Sequence, residues 1–269
     1  MTRRTCVVPV GAVTCAAALL GGCGGSTGGQ WVQVEVAIES LAQEPAFTTD
    51  LGWHVQLTEA QVVLGPMYFY APTEDTLAFL PERMLPTLWE LAVPTARAHS
   101  GTDPLAGRIV RAEWDEQVLV DLLADESQYL GQIEAEAGTL DSATLILPPP
   151  TEEHQALMHG HHFWVRGEAS KDGQTVVFEG GLDLPDNGLT RRVEPVTVDG
   201  ELAEGSTVVL GIDPAPWFDG AHFDRLVEGE AGQPRAITAD SQVRAAWFLG
   251  ARDLRGYGVR LEEGLSDGQ

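Results

Sequence analysis

The chain has 269 residues, 40 of them acidic against 16 basic, and its formal net charge is −24 at pH 7. A surface of this sign repels phosphate backbones, which argues against nucleic acid as a partner, and it also repels anionic lipid headgroups. The cysteines are Cys6, Cys15 and Cys23, so the chain beyond them has no thiol for a disulfide, a zinc site or nucleophilic catalysis.

The first residues have the pattern of an export signal. Two arginines near the start are followed by an apolar run over residues 7–20, too short to span a membrane as a stable helix. The sequence Leu-Gly-Gly before Cys23 resembles the lipobox of bacterial lipoproteins. The resemblance implies cleavage before Cys23, lipidation of its sulfur and acylation of the new amine. The alternative is an ordinary secretory signal in which the cysteine is incidental.

These features divide the chain into four segments. We expect a signal peptide at 1–22, a lipidated Cys23 with a Gly/Ser tether to residue 30, one domain at 31–261 and a tail at 262–269. Cleavage removes two basic residues and no acidic one, which leaves 14 basic residues against 40 acidic and a charge of −26. Several acyl chains anchor a protein stably to a membrane. By resemblance to lipoproteins of diderm bacteria, Gly24 directs this one to the outer membrane, facing the periplasm or the cell surface.

Alternating apolar and polar residues predict strands through most of the chain. Residues 31–38 form the first strand. In the second, Trp53, Val55 and Leu57 share one face while His54 lies on the other. A third strand over 60–70 has a bend at Gly65-Pro66, and residues 71–106 are an irregular excursion limited by prolines.

The remaining elements follow at short intervals. The clearest is a hairpin of strands 163–169 and 175–184 joined by a turn at 170–173. Further strands are expected at 107–114, 118–123, 133–137, 143–147, 193–198, 207–212 and 256–261, and one helix at 241–249. Because no β-α-β alternation occurs, the sequence predicts an all-β, antiparallel sandwich-like domain with long loops and a short C-terminal helix.

Motifs of common catalytic sites are absent from the predicted domain. Within residues 31–261 there is no G-x-S-x-G nucleophile turn, no phosphate-binding G-x-x-x-x-G-K-[ST], no G-x-G-x-x-G after a strand and no H-E-x-x-H. We therefore expect a protein that is not an enzyme. A secreted hydrolase would need a cleft in which a base is oriented by a third group.

Four of the seven histidines fall within nine residues: His154, His159, His161 and His162. Imidazole binds copper, zinc and nickel, and the thioether of nearby Met158 suits Cu(I). In an extended segment His161 and His162 point to opposite faces, whereas His159 and His161 share one. A metal site would therefore need a second segment, for which His54 and His222 are candidates. The alternative is a polar loop of merely exposed histidines.

Four tryptophans have two candidate roles, as core residues or as part of a site beside the histidines. Trp53, Trp164, Trp217 and Trp247 lie in strands or apolar segments, where packing in the core is the expected role. Trp53 and Trp164 are also adjacent in sequence to candidate histidines.

Three stretches together resemble the MbnP-like domain proteins of bacteria, which are periplasmic or lipid-anchored and β-rich. They are Leu51-Gly-Trp-His-Val-Gln-Leu-Thr-Glu-Ala60 running into residues 63–70, Phe163-Trp-Val-Arg-Gly-Glu-Ala169 with Gly173 and Phe178, and residues 241–250. The resemblance implies copper held by histidines beside an oxidised tryptophan, and a di-haem peroxidase-like partner that makes the modification. The residues that it suggests are Trp53 as the aromatic group and His54, His159, His161 and His162 as metal ligands.

A metal-free interaction module is the competing hypothesis. An acidic β-domain displayed from the membrane to contact a protein or a glycan explains the charge, the tether and the fold. The two hypotheses differ in whether histidines from distant segments converge on one point within metal-ligand reach.

Overall fold

The computed structural model describes residues 29–42, 45–72 and 108–263. The signal segment, Cys23, most of the tether, nearly all of the excursion predicted over 71–106 and residues 264–269 lie outside the described residues. Cleavage, lipidation and location in the envelope therefore stay predictions. Within the described ranges, no helix has the length and apolar character needed to cross a membrane.

Strands dominate the described part of the chain, which confirms the all-β prediction. Two short α-helices occur among the described residues, α1 (Glu152–Gln155) and α2 (Gln242–Gly250). The strands are β1 (Trp31–Ser40), β2 (Ala46–Thr48), β3 (His54–Leu64), β4 (Met67–Tyr70), β5 (Val110–Trp114), β6 (Val118–Asp121), β7 (Gln128–Glu136), β8 (Gly138–Ile146), β9 (Phe163–Lys171), β10 (Gln174–Leu182), β11 (Arg192–Leu202), β12 (Thr207–Ile212), β13 (Arg235–Ala236) and β14 (Tyr257–Glu262).

Eight strands close into a barrel in the order β1-β12-β14-β11-β8-β4-β5-β7. This corrects the expectation of a plain antiparallel sandwich. Most neighbours are antiparallel, but β1 pairs with β12 and β11 pairs with β14 in parallel. The parallel contacts join strands that are far apart in sequence, so turn residues between consecutive strands do not predict these pairings.

The other six strands form a second sheet in the order β13-β10-β9-β3-β2, with β6 paired to β3. The predicted hairpin is its centre, since β9 and β10 pair from Phe163 opposite Leu182 to Lys171 opposite Gln174. The predicted bend at Gly65-Pro66 is also present, between β3 of the second sheet and β4 of the barrel. One continuous stretch of chain thus connects the two sheets.

An aromatic cluster packs against the second sheet. Phe163 and Phe178 from the hairpin meet Trp217, Phe218 and Phe223 from two 3-10 turns, and Trp247 from α2, with ring centroids 4.8–6.2 Å apart. Ser241 caps α2 by accepting a hydrogen bond from the Arg244 amide. Trp53, Trp217 and Trp247 are buried, as predicted. Trp164 is only half-buried, on the outward face of β9.

Candidate functional site

The four clustered histidines lie in one compact loop, residues 154–162, which we call the histidine loop. Backbone hydrogen bonds from Met158 to His154 and from His161 to Met158 fold it back on itself, and the buried Met158 side chain pins it to the domain. His159 has φ +50° and Gly160 has φ +83°, which reverses the chain before β9 begins. Met158 is therefore a packing residue, and the possible metal ligands of the loop are imidazoles, without a thioether.

The histidine loop places two imidazoles against one indole. The His159 and Trp164 ring centroids are 4.0 Å apart at an interplanar angle of 32°, and those of His161 and Trp164 are 6.1 Å apart at 13°. Trp164 Nε1 donates to Glu59 Oε2 over 2.9 Å, which fixes the indole in its plane. The tryptophan next to the candidate ligands is therefore Trp164.

Gly181 explains how the His161 ring reaches this position. It is the cross-strand neighbour of Trp164 in the β9–β10 hairpin. A Cβ atom at Gly181 would overlap ring atoms of His161, so the absence of a side chain creates the place where the imidazole lies. The adjacency of Trp164 to the histidines was visible in the sequence, whereas Gly181 carried no functional signal because its relation to His161 depends on the strand register.

Asp183 is a further residue that the sequence did not single out. Its two carboxylate oxygens lie 2.9 and 3.0 Å from His161 Nδ1, and its carboxylate also faces Arg244 of α2 at 3.5 Å. A carboxylate accepts only, so His161 Nδ1 donates to Asp183, and in the neutral imidazole this arrangement leaves the lone pair of Nε2 available. Metal-binding histidines are commonly oriented by such a carboxylate.

His162 differs from its neighbours because it is buried, with 4% of its surface exposed. Neither ring nitrogen has a hydrogen-bond partner. Burial is the main cause that lowers the pKa of His162, the charge of Arg191 adds to it, and Asp183, 3.7 Å away, opposes it. The imidazole is therefore neutral at pH 7.

His54 and Trp53 lie at the other end of the second sheet. His54 is exposed and pairs with Ser170, whereas the Val63 amide, at the far end of β3, donates to the His162 carbonyl. The eight steps along the strand from His54 to Val62 span about 26 Å at roughly 3.3 Å per residue. Trp53 is 3% exposed and packs on Phe223 with ring centroids 5.6 Å apart. The structure does not bring either residue to the histidine loop.

His222 also lies away from the histidine loop, in a pocket lined by Trp53 and Lys171. Across the described ranges, no three His, Cys, Asp or Glu side chains are arranged to hold a metal ion. What the loop offers is two imidazoles beside an indole, one of them oriented by Asp183. This pair fits copper in its donor chemistry, since imidazole is a copper ligand and an indole face attracts a cation.

Comparison with known proteins identifies no relative: no protein-family model, no curated protein and no solved structure matches the chain.

Proposed function

We propose that this chain is a lipid-anchored, non-catalytic binding domain of the bacterial envelope that holds copper at His159 and His161, beside Trp164. The observation that carries the proposal is the Asp183–His161 contact of 2.9 Å, which orients one imidazole beside an indole that His159 also contacts. Copper, when bound, supplies a redox-active cation at this surface. The resemblance to MbnP-like proteins supports the same metal.

The position of Trp164 also supports modification by a partner. In the MbnP-like proteins that the chain resembles, a di-haem peroxidase-like protein oxidises a tryptophan close to the copper. Trp164 is half-buried on an outward face, whereas Trp53 is 3% exposed. A partner protein has access to an edge of Trp164 without unfolding the domain, so we place the candidate modification there.

The anchor is the part of the proposal that rests on the lipobox resemblance alone. The tether of residues 23–30 reaches roughly 28 Å when extended, because each residue spans at most about 3.5 Å. A domain held this close to a bilayer meets ligands and partners of the same membrane compartment.

Copper loading of the mature, detergent-solubilised protein tests the metal site. After incubation with Cu(I) under reducing conditions and desalting, we expect elemental analysis to find about one copper per chain. The His159→Ala, His161→Ala double variant should retain little copper, and Gly181→Ala should weaken retention because it displaces the His161 ring without removing a donor.

His54→Ala is the matched control, since it removes an exposed histidine about 26 Å from the site. Equal copper retention by the wild type and the double variant, or loss in His54→Ala alone, would refute the assignment of the ligands. Intact mass of protein from its native host would show added oxygen on a Trp164 peptide if the modification occurs.

The second candidate function is metal-free binding of a protein or glycan. It is favoured by the separation of His54 from the histidine loop and by the lack of a third donor there among the described residues. If the wild type retains no copper after loading, this role is the better account of the chain.

A further inference from the structure

A polar pocket lies at the opposite end of the second sheet from the histidine loop. Its volume is about 260 Å³, it is open to solvent on one side, and three separate segments line it: the residue before β3, the β9–β10 turn and the 3-10 turn Phe223–Arg225 with the residue before it. Its lining residues are Trp53, Lys171, Asp172, Gln174, His222 and Asp224. We propose that this pocket binds a single pyranose unit of a neutral glycan.

Lys171 is the first residue that singles out the pocket. It is the only lysine in the chain, whose other fifteen basic residues are arginines. Its Nζ donates to the Leu51 carbonyl over 2.6 Å and lies 6.0 Å from the centre of the Trp53 ring. An ammonium group has three donors, so two remain for a ligand after this bond fixes its position.

The other lining groups have hydrogen-bonding capacity to spare. No described contact engages the side chains of Asp172 and Gln174, and His222 Nδ1 lies 3.8 Å from Asp224, beyond hydrogen-bond distance. The β9–β10 turn, where Asp172 has φ +51°, holds the first two side chains at the rim of the pocket. Donors and acceptors therefore converge on one space.

The balance of charge selects the class of ligand. Two carboxylates and a chain charge of −24 repel an anion, while the fixed ammonium of Lys171 opposes a cation. Hydroxyl groups both donate and accept, so a neutral polyol satisfies the ammonium, amide and carboxylate groups together. A ligand with a single charge would leave one kind of group without a partner.

The size of the pocket limits the ligand to one ring. At a share of about 30 Å³ for each water, the pocket corresponds to roughly nine waters, below the lower bound of about 300 Å³ for drug-sized ligands. Trp53 is 3% exposed and Lys171 already covers its ring, so polar contacts hold the sugar. We expect a dissociation constant on the order of 1 mM.

This inference rests on the metal-free binding role and not on copper. From Trp164 to Lys171 the strand β9 advances seven residues, or about 23 Å. The pocket and the histidine loop therefore have no residue in common, so either proposal can fail while the other holds.

The single lysine makes a direct test available. Mature, detergent-solubilised protein labelled with ¹⁵N-lysine has one labelled backbone amide, that of Lys171, which pairs with Gln174 at the pocket. We expect this signal to shift saturably on titration with glucose or N-acetylglucosamine. Inorganic phosphate and choline, an anion and a cation, should leave it unchanged at the same concentrations.

Variants separate this pocket from the copper site. Gln174→Ala and Asp224→Asn should each weaken sugar binding about fivefold or more. In the absence of sugar, the Lys171 amide signal of each variant should keep its wild-type position, which would show that the hairpin is intact. His159→Ala, His161→Ala should bind sugar like the wild type. The absence of a saturable shift with either sugar, or a stronger response to phosphate or choline, would overturn the proposal, whatever the copper content.

Discussion

His162 shows what a single buried ionisable side chain does in this domain. Its ring faces Asp183 at 3.7 Å, with Arg191 and His161 also acting on it, and both of its nitrogens lack hydrogen-bond partners. An unsatisfied buried polar group costs about 1–3 kcal/mol, and charging it costs more because the ring is buried and Arg191 acts on it. Protonation of His162 is therefore coupled to unfolding of the domain.

The pH dependence of stability tests this coupling. The pKa of His162 is lower in the folded chain than in the unfolded chain, so near and below pH 6.5 the unfolded chain binds a proton at this residue more readily than the folded chain does. Stability is full above pH 6.5 and falls as the pH drops towards the folded pKa, by up to about 1.4 kcal/mol per pH unit. Denaturant unfolding between pH 7 and pH 5 should show a shallower decline in His162→Gln.

His54→Gln provides the control for that measurement, because His54 is exposed and about 26 Å away. It should decline with pH as the wild type does. If His162→Gln retains the full wild-type slope, another group is responsible for it.

At the scale of elements, the packing of α2 depends on a glycine. Gly250 is buried where the helix meets the 3-10 turn Ala215–Phe218. A Cβ atom there would overlap the Pro216 carbonyl oxygen and lie 2.6 Å from the Trp217 Cα, both of them backbone atoms. The close approach allows Trp247 to stack on Trp217 at 6.2 Å.

We therefore expect Gly250→Ala to destabilise the domain. Alanine is favoured over glycine by about 1 kcal/mol in a helix, but the overlap with backbone forces α2 to shift, and overpacking costs about 1–3 kcal/mol. Thermal unfolding should show the net loss. In Gly188→Ala the new methyl group meets open space, so it should leave stability unchanged or slightly raised; an equal effect of the two substitutions would contradict the packing argument.

Individual elements could be predicted from the sequence because their signals are local. The strand predicted from alternation over 31–38 is β1, and the turn predicted at 170–173 connects the two strands of the β9–β10 hairpin. Ser241, where the predicted helix begins, is the N-cap of α2. The barrel could not be predicted, since its closure depends on parallel neighbours such as β1 and β12, which are far apart in sequence.

The candidate site was predictable only in part, for a related reason. Histidine density pointed to residues 159–162, but the residues that organise them come from the neighbouring strand and its end: Gly181 lies opposite Trp164, and Asp183 directly follows β10. Cross-strand register decides such contacts, and sequence spacing does not contain it. The same register separates His54 from the loop, because β3 and β9 are antiparallel along their length.

At the scale of the whole molecule, the barrel has one weakly paired seam. β5 and β7 are joined by the single pair Ala112–Ala135, whereas β8 is paired along its length with β11 and also with β4. A depression of about 320 Å³ lies over this seam, with exposed Trp31 and the acidic Glu113 and Glu134 at its edge. Water therefore reaches backbone groups that a complete ladder would protect.

Hydrogen exchange tests whether the barrel opens at this seam. Amides of β5 should exchange about tenfold faster or more than those of β8, a difference of about 1.4 kcal/mol in opening free energy. Both strands have a neighbour on each side in the closed barrel, so the comparison is between two strands of the same ring that differ in how completely they are paired. Equal protection in the two strands would mean that the seam opens only when the whole domain unfolds.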